Sequence, residues 1–164
     1  MRGRILARVV LLAGLLAISG SPLYAAGSTA RAALADAMEA AKKWKPDAVL
    51  TNVTSITVGL DGKGTTWFYG FYSPRTGAFL NVTAKGRTID LLEVGTGQKD
   101  PLPTDFLDSD KIMEEATKLG LQGTEPRMGL TRSAWIVNGG TDKGDVGVWL
   151  HPRTAKLIKR QAVQ

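Results

Sequence analysis

The sequence contains no cysteine and only one histidine among its 164 residues. The absence of cysteine excludes disulfides, thiolate metal sites, a cysteine nucleophile and a lipid-modified cysteine. A fold without disulfides must be stabilised by its hydrophobic core. The single histidine, His151, precedes a proline, and no motif brings a nucleophile, an orienting acid or further metal ligands towards it. We therefore predict no catalytic residue, no metal site and no cofactor.

A long apolar run is also missing. The apolar stretch from Val9 to Ile18 has ten residues, about half of what a membrane-spanning helix needs. Three arginines precede it, and Leu23-Tyr24-Ala25 or Tyr24-Ala25-Ala26 offers a small-residue cleavage site. This order is typical of a secretory signal peptide over residues 1–26. The alternative is an uncleaved N-terminal anchor, whereas cleavage would leave the product with no stable membrane anchor.

Blocks of one charge sign are absent as well. The full chain has a net charge of +6, and removing residues 1–26 leaves 18 basic and 15 acidic residues. A mildly basic surface of mixed sign, with no lysine-arginine run, argues against a nucleic-acid partner. The leader and this composition together predict a periplasmic or secreted protein.

The remaining chain shows a pattern of helix and strands that occurs twice. An alanine-rich helix is predicted up to Trp44, and a second helix begins at Asp108 or Ser109 and ends at Gly120. Turn signals separate β-rich segments after each helix. Strands are expected at 65–72 and 78–84 on either side of Pro74-Arg75-Thr76-Gly77, and a turn is expected at Gly139-Gly140. A single ungapped shift of 78 residues aligns the apolar residues along one side of each predicted helix. It also brings Pro74-Arg75-Thr76 onto Pro152-Arg153-Thr154. The pattern predicts an internal duplication.

The fold class predicted from this pattern is α+β. We expect two αβββ(β) units whose strands form an antiparallel sheet, with both helices packed on one face. The expected division is a signal peptide over 1–26, a first unit over 27–95, a connector over 96–108 and a second unit over 109–164. The other face of the sheet would then be open to solvent or to a partner.

The residues around the two proline turns resemble the PepSY family. The second half has Trp135-Ile136-Val137, then Val146 to Leu150, then His151-Pro152-Arg153-Thr154 before an apolar strand; the first half has Phe71 to Leu80 around Pro74-Arg75-Thr76-Gly77. His151 and Ser73 replace the aspartate that is common before the turn. The resemblance implies an extracytoplasmic module that binds or restrains other proteins, often a peptidase. The tandem arrangement is also similar to the fold of the β-lactamase inhibitor protein.

The binding candidates are aromatic residues and turn arginines. Trp67, Tyr69 and Phe71 alternate onto one face of a strand, and Phe68 and Tyr72 onto the other. One set belongs in the core, and the other is either covered or forms a partner-binding patch, as exposed aromatics do at interfaces. Arg75 and Arg153 occupy equivalent turns, as solvated residues or as partner contacts. The candidate set is Trp67, Tyr69, Tyr72, Arg75, Trp149 and Arg153.

The predicted function is a non-catalytic protein-binding module, peptidase-inhibitory or regulatory, whose partner is another envelope protein or a peptide. Two alternatives remain open: an envelope hydrolase with a polar cleft, and a carrier with an apolar cavity for a small ligand. The sequence does not indicate the oligomeric state.

Overall fold

The computed structural model describes residues 27–163, so the predicted signal peptide lies outside the described residues. Two helices and eight strands make up this part of the chain. In chain order they are α1 (Ala30–Trp44), β1 (Val49–Ser55), β2 (Thr66–Ser73), β3 (Ala78–Lys85), β4 (Thr88–Val94), α2 (Ser109–Lys118), β5 (Arg127–Leu130), β6 (Trp135–Thr141), β7 (Gly144–Leu150) and β8 (Leu157–Ala162).

All eight strands belong to one antiparallel sheet. Their order across the sheet is β4-β3-β2-β1-β5-β6-β7-β8. The first four strands are joined to the last four where β1 lies beside β5, and we call this junction the seam. Three residue pairs connect β1 and β5 there, with Thr54 and Gly129 in the middle. The predicted fold class, with two αβββ(β) units and helices packed on one face, is wrong. Residues 27–163 form a single eight-stranded sheet with two helices, and 42% of these residues are in strands and 18% in helices.

The ungapped shift of 78 residues is wrong for a physical reason. It aligns β5 with β1 and β7 with β2. However, β1 and β2 are direct neighbours, whereas β6 lies between β5 and β7. The segment that the shift aligns with β6 forms only an isolated bridge at Val58. The proline turns that suggested this register therefore end strands with different neighbours.

The alanine-rich composition of α1 lets it lie close to the sheet. Thr29 caps the helix by accepting a hydrogen bond from the backbone N–H of Ala32. Its buried residues are mostly alanines, and α1 packs on β2, β3 and β4. The helix α2 is capped by Asp108 and packs on β6 and β7. One hydrophobic core includes residues of both helices and of the sheet.

Two buried tryptophans connect the sheet to the helix starts. The indole N–H of Trp67 donates to the carbonyl of Ser28 at 2.8 Å, and that of Trp135 donates to the carbonyl of Leu107 at 3.0 Å. Each acceptor lies two residues before the first residue of a helix. The strands β2 and β6 therefore make corresponding contacts, although the shift of 78 residues aligned Trp135 with Thr57.

The N-termini of the two helices meet at Ser109, which is fully buried. Its hydroxyl donates to the carbonyl of Gly62 at 2.7 Å and accepts from the backbone N–H of Ala30 at 2.9 Å. Asp108 accepts from the backbone N–H groups of Arg31 and Ser109, both at 2.8 Å. A carboxylate at this place neutralises the positive ends of both helices. We call this arrangement the helix junction.

Candidate functional site: the open face of the sheet

The sheet has one face that belongs to the core and one that does not. On β2, Trp67, Tyr69 and Phe71 are buried in the core, and the alternate residues Phe68 and Tyr72 are partly exposed. Because successive side chains of a strand point to opposite faces, every strand of the sheet has one set of residues on the core face and one set on the other face. We call the face that carries Phe68 and Tyr72 the open face.

One row of cross-strand neighbours crosses the whole open face. Each member is the register partner of the next on the adjacent strand, and we call this the central row. From β4 to β8 it consists of Asp90, Thr83, Phe68, Thr54, Gly129, Ile136, Trp149 and Lys159. Its three large apolar members are half-buried, and its two ends are an exposed acid and an exposed base. Seven strand spacings make the row about 33 Å long.

Trp149 lies flat in this row because of the glycine beside it. A Cβ atom at Gly147 would lie 2.7–2.8 Å from the indole ring and 2.8 Å from the side-chain oxygen of Asn138. Glycine therefore makes the space that the ring occupies. Lys159 places its ammonium 5.0 Å from the centre of the ring, a cation–π contact that leaves a positive charge at the surface.

A second aromatic group lies on the same face, near the end of β2 and the start of β3. The rings of Tyr72 and Phe79 have their centroids 5.0 Å apart, and Lys99 lies 5.9 Å from the tyrosine ring. Phe79 is 8% exposed, whereas Tyr72 is half-buried. The open face therefore presents three partly exposed aromatic side chains, Phe68, Tyr72 and Trp149. Tyr72 and Trp149 each lie beside a lysine.

Two of the residues predicted to bind a partner lie in the core instead. Trp67 is 0% and Tyr69 1% exposed, and the hydroxyl of Tyr69 donates to the carbonyl of Ala30 at 2.7 Å. Burial raises the pKa of Tyr69 far above its ordinary value, and the charge of Asp108 raises it further. Neither side chain can reach a partner, so the candidate site does not include them.

Arg75 and Arg153 are exposed in the turns β2–β3 and β7–β8, away from the central row. The backbone N–H of Arg75 donates to Asp47 at 2.8 Å, and this bond holds the pKa of Asp47 below its ordinary value, with help from Ser73. The side chain of Arg153 pairs with Asp105 at 2.7 Å and lowers the pKa of that carboxyl. Each arginine thus belongs to a turn that an aspartate holds in place.

The described residues contain no group of three or more side chains arranged to hold a metal ion. His151 lies before the β7–β8 turn, where its Nδ1 atom accepts from the backbone N–H of Arg153 at 3.3 Å. Within residues 27–163, no helix is both long and apolar enough to cross a membrane.

The candidate set from the sequence omitted Ile136 and Gly147, and it omitted Phe68 although alternation had placed Phe68 on the same face of the strand as Tyr72. Ile136 and Phe68 belong to the central row, and Gly147 supports the ring of Trp149. The alternation along β6 and β7 is visible in the sequence. However, it becomes a site only when the order of strands is known, because these residues are brought together by pairing across β1 and β5.

No family model matches the chain, and no curated protein matches it. Among solved structures, the chain is similar to a crystal structure of a "putative lipoprotein" from Clostridium difficile 630, at 12% identity and a TM-score of 0.55. The match covers 78% of this chain and 91% of that one. At this identity the likeness shows a shared fold alone.

Proposed function

We propose that the chain is a non-catalytic protein-binding module of the bacterial envelope that meets its partner with the open face. The observation that carries the proposal is the central row. Its large apolar members are half-buried. Ile136 and Trp149 are cross-strand partners on β6 and β7, and Phe68 lies on β2, on the other side of the β1–β5 pair, with Thr54 and Gly129 between it and Ile136. Rigid aromatic side chains that are partly exposed on a sheet are the residue type that dominates protein interfaces.

An envelope location is supported by the leader-like residues 1–26 and by the lipoprotein description of the clostridial neighbour. The resemblance to PepSY around the proline turns supports an inhibitory or regulatory role, and membership of that family stays a prediction. We infer that the partner is a folded protein or an extended peptide that presents an apolar surface, because the large side chains of the central row are apolar and its charges lie only at its ends.

Site-specific photocrosslinking in cells that export the full chain tests the proposal. A photoreactive amino acid is placed at Phe68 or Trp149, and at Lys111 on the exposed surface of α2 as a control. We expect a defined adduct from positions 68 and 149 and none from position 111. Mass spectrometry of the exported chain should place its first residue after Ala25 or Ala26.

A matched pair of variants separates binding from folding. Trp149→Ala should weaken a reproducible complex about tenfold or more, whereas Lys111→Ala should leave it unchanged. Equal adducts from all three positions, or a complex indifferent to Trp149→Ala, would show that the open face is not the binding surface. The hydrolase and carrier alternatives require a polar cleft or an enclosed apolar cavity as the binding site.

A further inference from the structure

Both edges of the sheet offer an unpaired strand. Within residues 27–163, β4 and β8 each have a neighbour on one side only. Each edge also carries exposed apolar side chains: Leu91 and Leu92 are 51% and 63% exposed on β4, and Leu157 and Ile158 are 49% and 54% exposed on β8. Edge strands of six or seven residues with such side chains are templates for pairing with another chain.

The two edges carry opposite charge. β4 contains Asp90 and Glu93, and β8 contains Lys159 and Arg160. A groove of about 550 Å³ lies between α1 and β4. Asp36 and Glu39 line it and increase the negative charge at this edge, and its apolar lining consists of Trp44, Ile89 and Leu91. Lys43, also at this groove, is paired with Glu39, and Arg87 lies in the turn before β4. Lys156 precedes β8 and adds to the basic edge.

The strand directions allow the two edges to meet. Neighbouring strands are antiparallel throughout the sheet. With eight strands, the two edge strands run in opposite directions. A second copy placed beside β8 in the same orientation therefore brings its own β4 antiparallel to β8, with the open faces on the same side.

The central row also sets a register for such a contact. It ends at Asp90 on β4 and at Lys159 on β8. If the row continues into the next copy, Lys159 lies opposite Asp90 of that copy, where opposite charges stabilise a cross-strand pair. Counting along the strands, Arg160 then lies opposite Ile89 of the next copy. In the other direction β8 has an irregular register between Lys159 and Leu157, so Lys159 and Arg160 set the register of the contact.

We propose that this edge contact is a self-association site, in which β8 of one copy pairs with β4 of another and extends the sheet head to tail. Pairing β4 with β4, or β8 with β8, would place like charges against each other, so the charges favour the head-to-tail contact. The apolar groove beside β4 would receive side chains from the core side of the incoming β8, where Arg160 faces the acids of α1. This site does not depend on the partner of the open face.

Sedimentation velocity over a concentration series tests the contact, since a single strand-to-strand interface is small and the association weak. Concentrations up to about 1 mM are needed, at low salt and at about 0.5 M salt, where the charge term is screened. The variants are Asp90→Lys and Lys159→Glu, and circular dichroism verifies that both are folded. Asp142→Lys and Lys143→Glu, in the exposed β6–β7 turn, are matched controls.

We expect the wild type and both turn controls to associate, and more weakly at high salt. Asp90→Lys and Lys159→Glu should each sediment as monomers. An equimolar mixture of these two should associate again, because each then meets a neighbour of opposite charge. A wild type that stays monomeric, or a mixture that does not recover association, would overturn the proposal. Pairing through like edges would leave one of the single variants associating as the wild type does.

Discussion

Two tryptophans of this chain are anchors of the fold, and a third belongs to its surface. Trp67 and Trp135 are 0% exposed and donate their indole N–H to a carbonyl beside a helix start. Trp149 is half-buried on the open face. One residue type therefore serves two purposes in one sheet, and the difference lies in which face of the strand it occupies.

The first prediction uses one substitution at all three positions. Trp67→Phe and Trp135→Phe each remove an indole N–H that donates to a partly buried carbonyl and leave space in the core, so the free energy of unfolding should fall by about 1–3 kcal/mol. Trp149→Phe should change it by less than about 0.5 kcal/mol, as surface substitutions do. Urea unfolding followed by circular dichroism measures all three. Equal losses at the three positions would contradict the anchoring role.

The second prediction concerns Tyr69, whose pKa burial raises in the folded state. Above about pH 10 the unfolded chain loses the phenolic proton while the folded chain keeps it. The unfolded state then binds fewer protons, so stability from this group is present below pH 10 and falls as pH rises. The stability advantage of the wild type over Tyr69→Phe should therefore narrow between about pH 8 and about pH 11. An advantage that is constant over this range would show that Tyr69 ionises freely in the folded protein.

At the scale of elements, the sequence predicted the first half of the sheet better than the second. The segments expected at 65–72 and 78–84 match β2 and β3 within one residue, because Pro74 and Gly77 mark the turn between them. In the second half, Gly139-Gly140 suggested a turn but lies inside β6. A Cβ at Gly139 would lie 3.2 Å from Pro126 and 3.3 Å from Leu121. Those glycines make room for a neighbouring loop, which local pattern does not reveal.

The candidate site was predicted in part for a related reason. Alternation along β2 separated two sets of aromatics, but it could not say which set the core would take. The positions of the helices decide this, because the helices pack against the face of the sheet that carries Trp67 and Tyr69. Tyr72 and Trp149 stay in the site, whereas the arginine turns lie outside the central row.

The third prediction belongs to the helix junction. Ser109→Ala removes the acceptor for Ala30 N–H and the donor for the carbonyl of Gly62, and both helix starts lose a partner in the core. We expect the free energy of unfolding to fall by about 2–3 kcal/mol. Ser133→Ala, at an exposed serine between β5 and β6, is the matched control in the same urea experiment. If both variants lowered the free energy of unfolding by the same small amount, the helix junction would not hold the helices together.

For the whole molecule, the continuous core leads to a fourth prediction. One cluster includes residues of both helices and of strands on both sides of the β1–β5 seam, and the helix junction crosses between the halves. The chain should therefore unfold in a single transition, with coincident curves from far-ultraviolet circular dichroism and tryptophan fluorescence. Two separated transitions would mean that the three pairs of the seam do not couple the halves.

The position of Trp149 above Gly147 gives the molecule an intrinsic optical probe. Of the four tryptophans, Trp67 and Trp135 are shielded from solvent, and Trp44 lies beside the β4 groove, where its N–H donates to Glu93 at 2.6 Å. In a Trp44→Phe background, the emission that an aqueous quencher can reach would come from the open face alone. Occupancy of that surface could then be followed in unlabelled protein, as a loss of quenching when a bound molecule shields the indole.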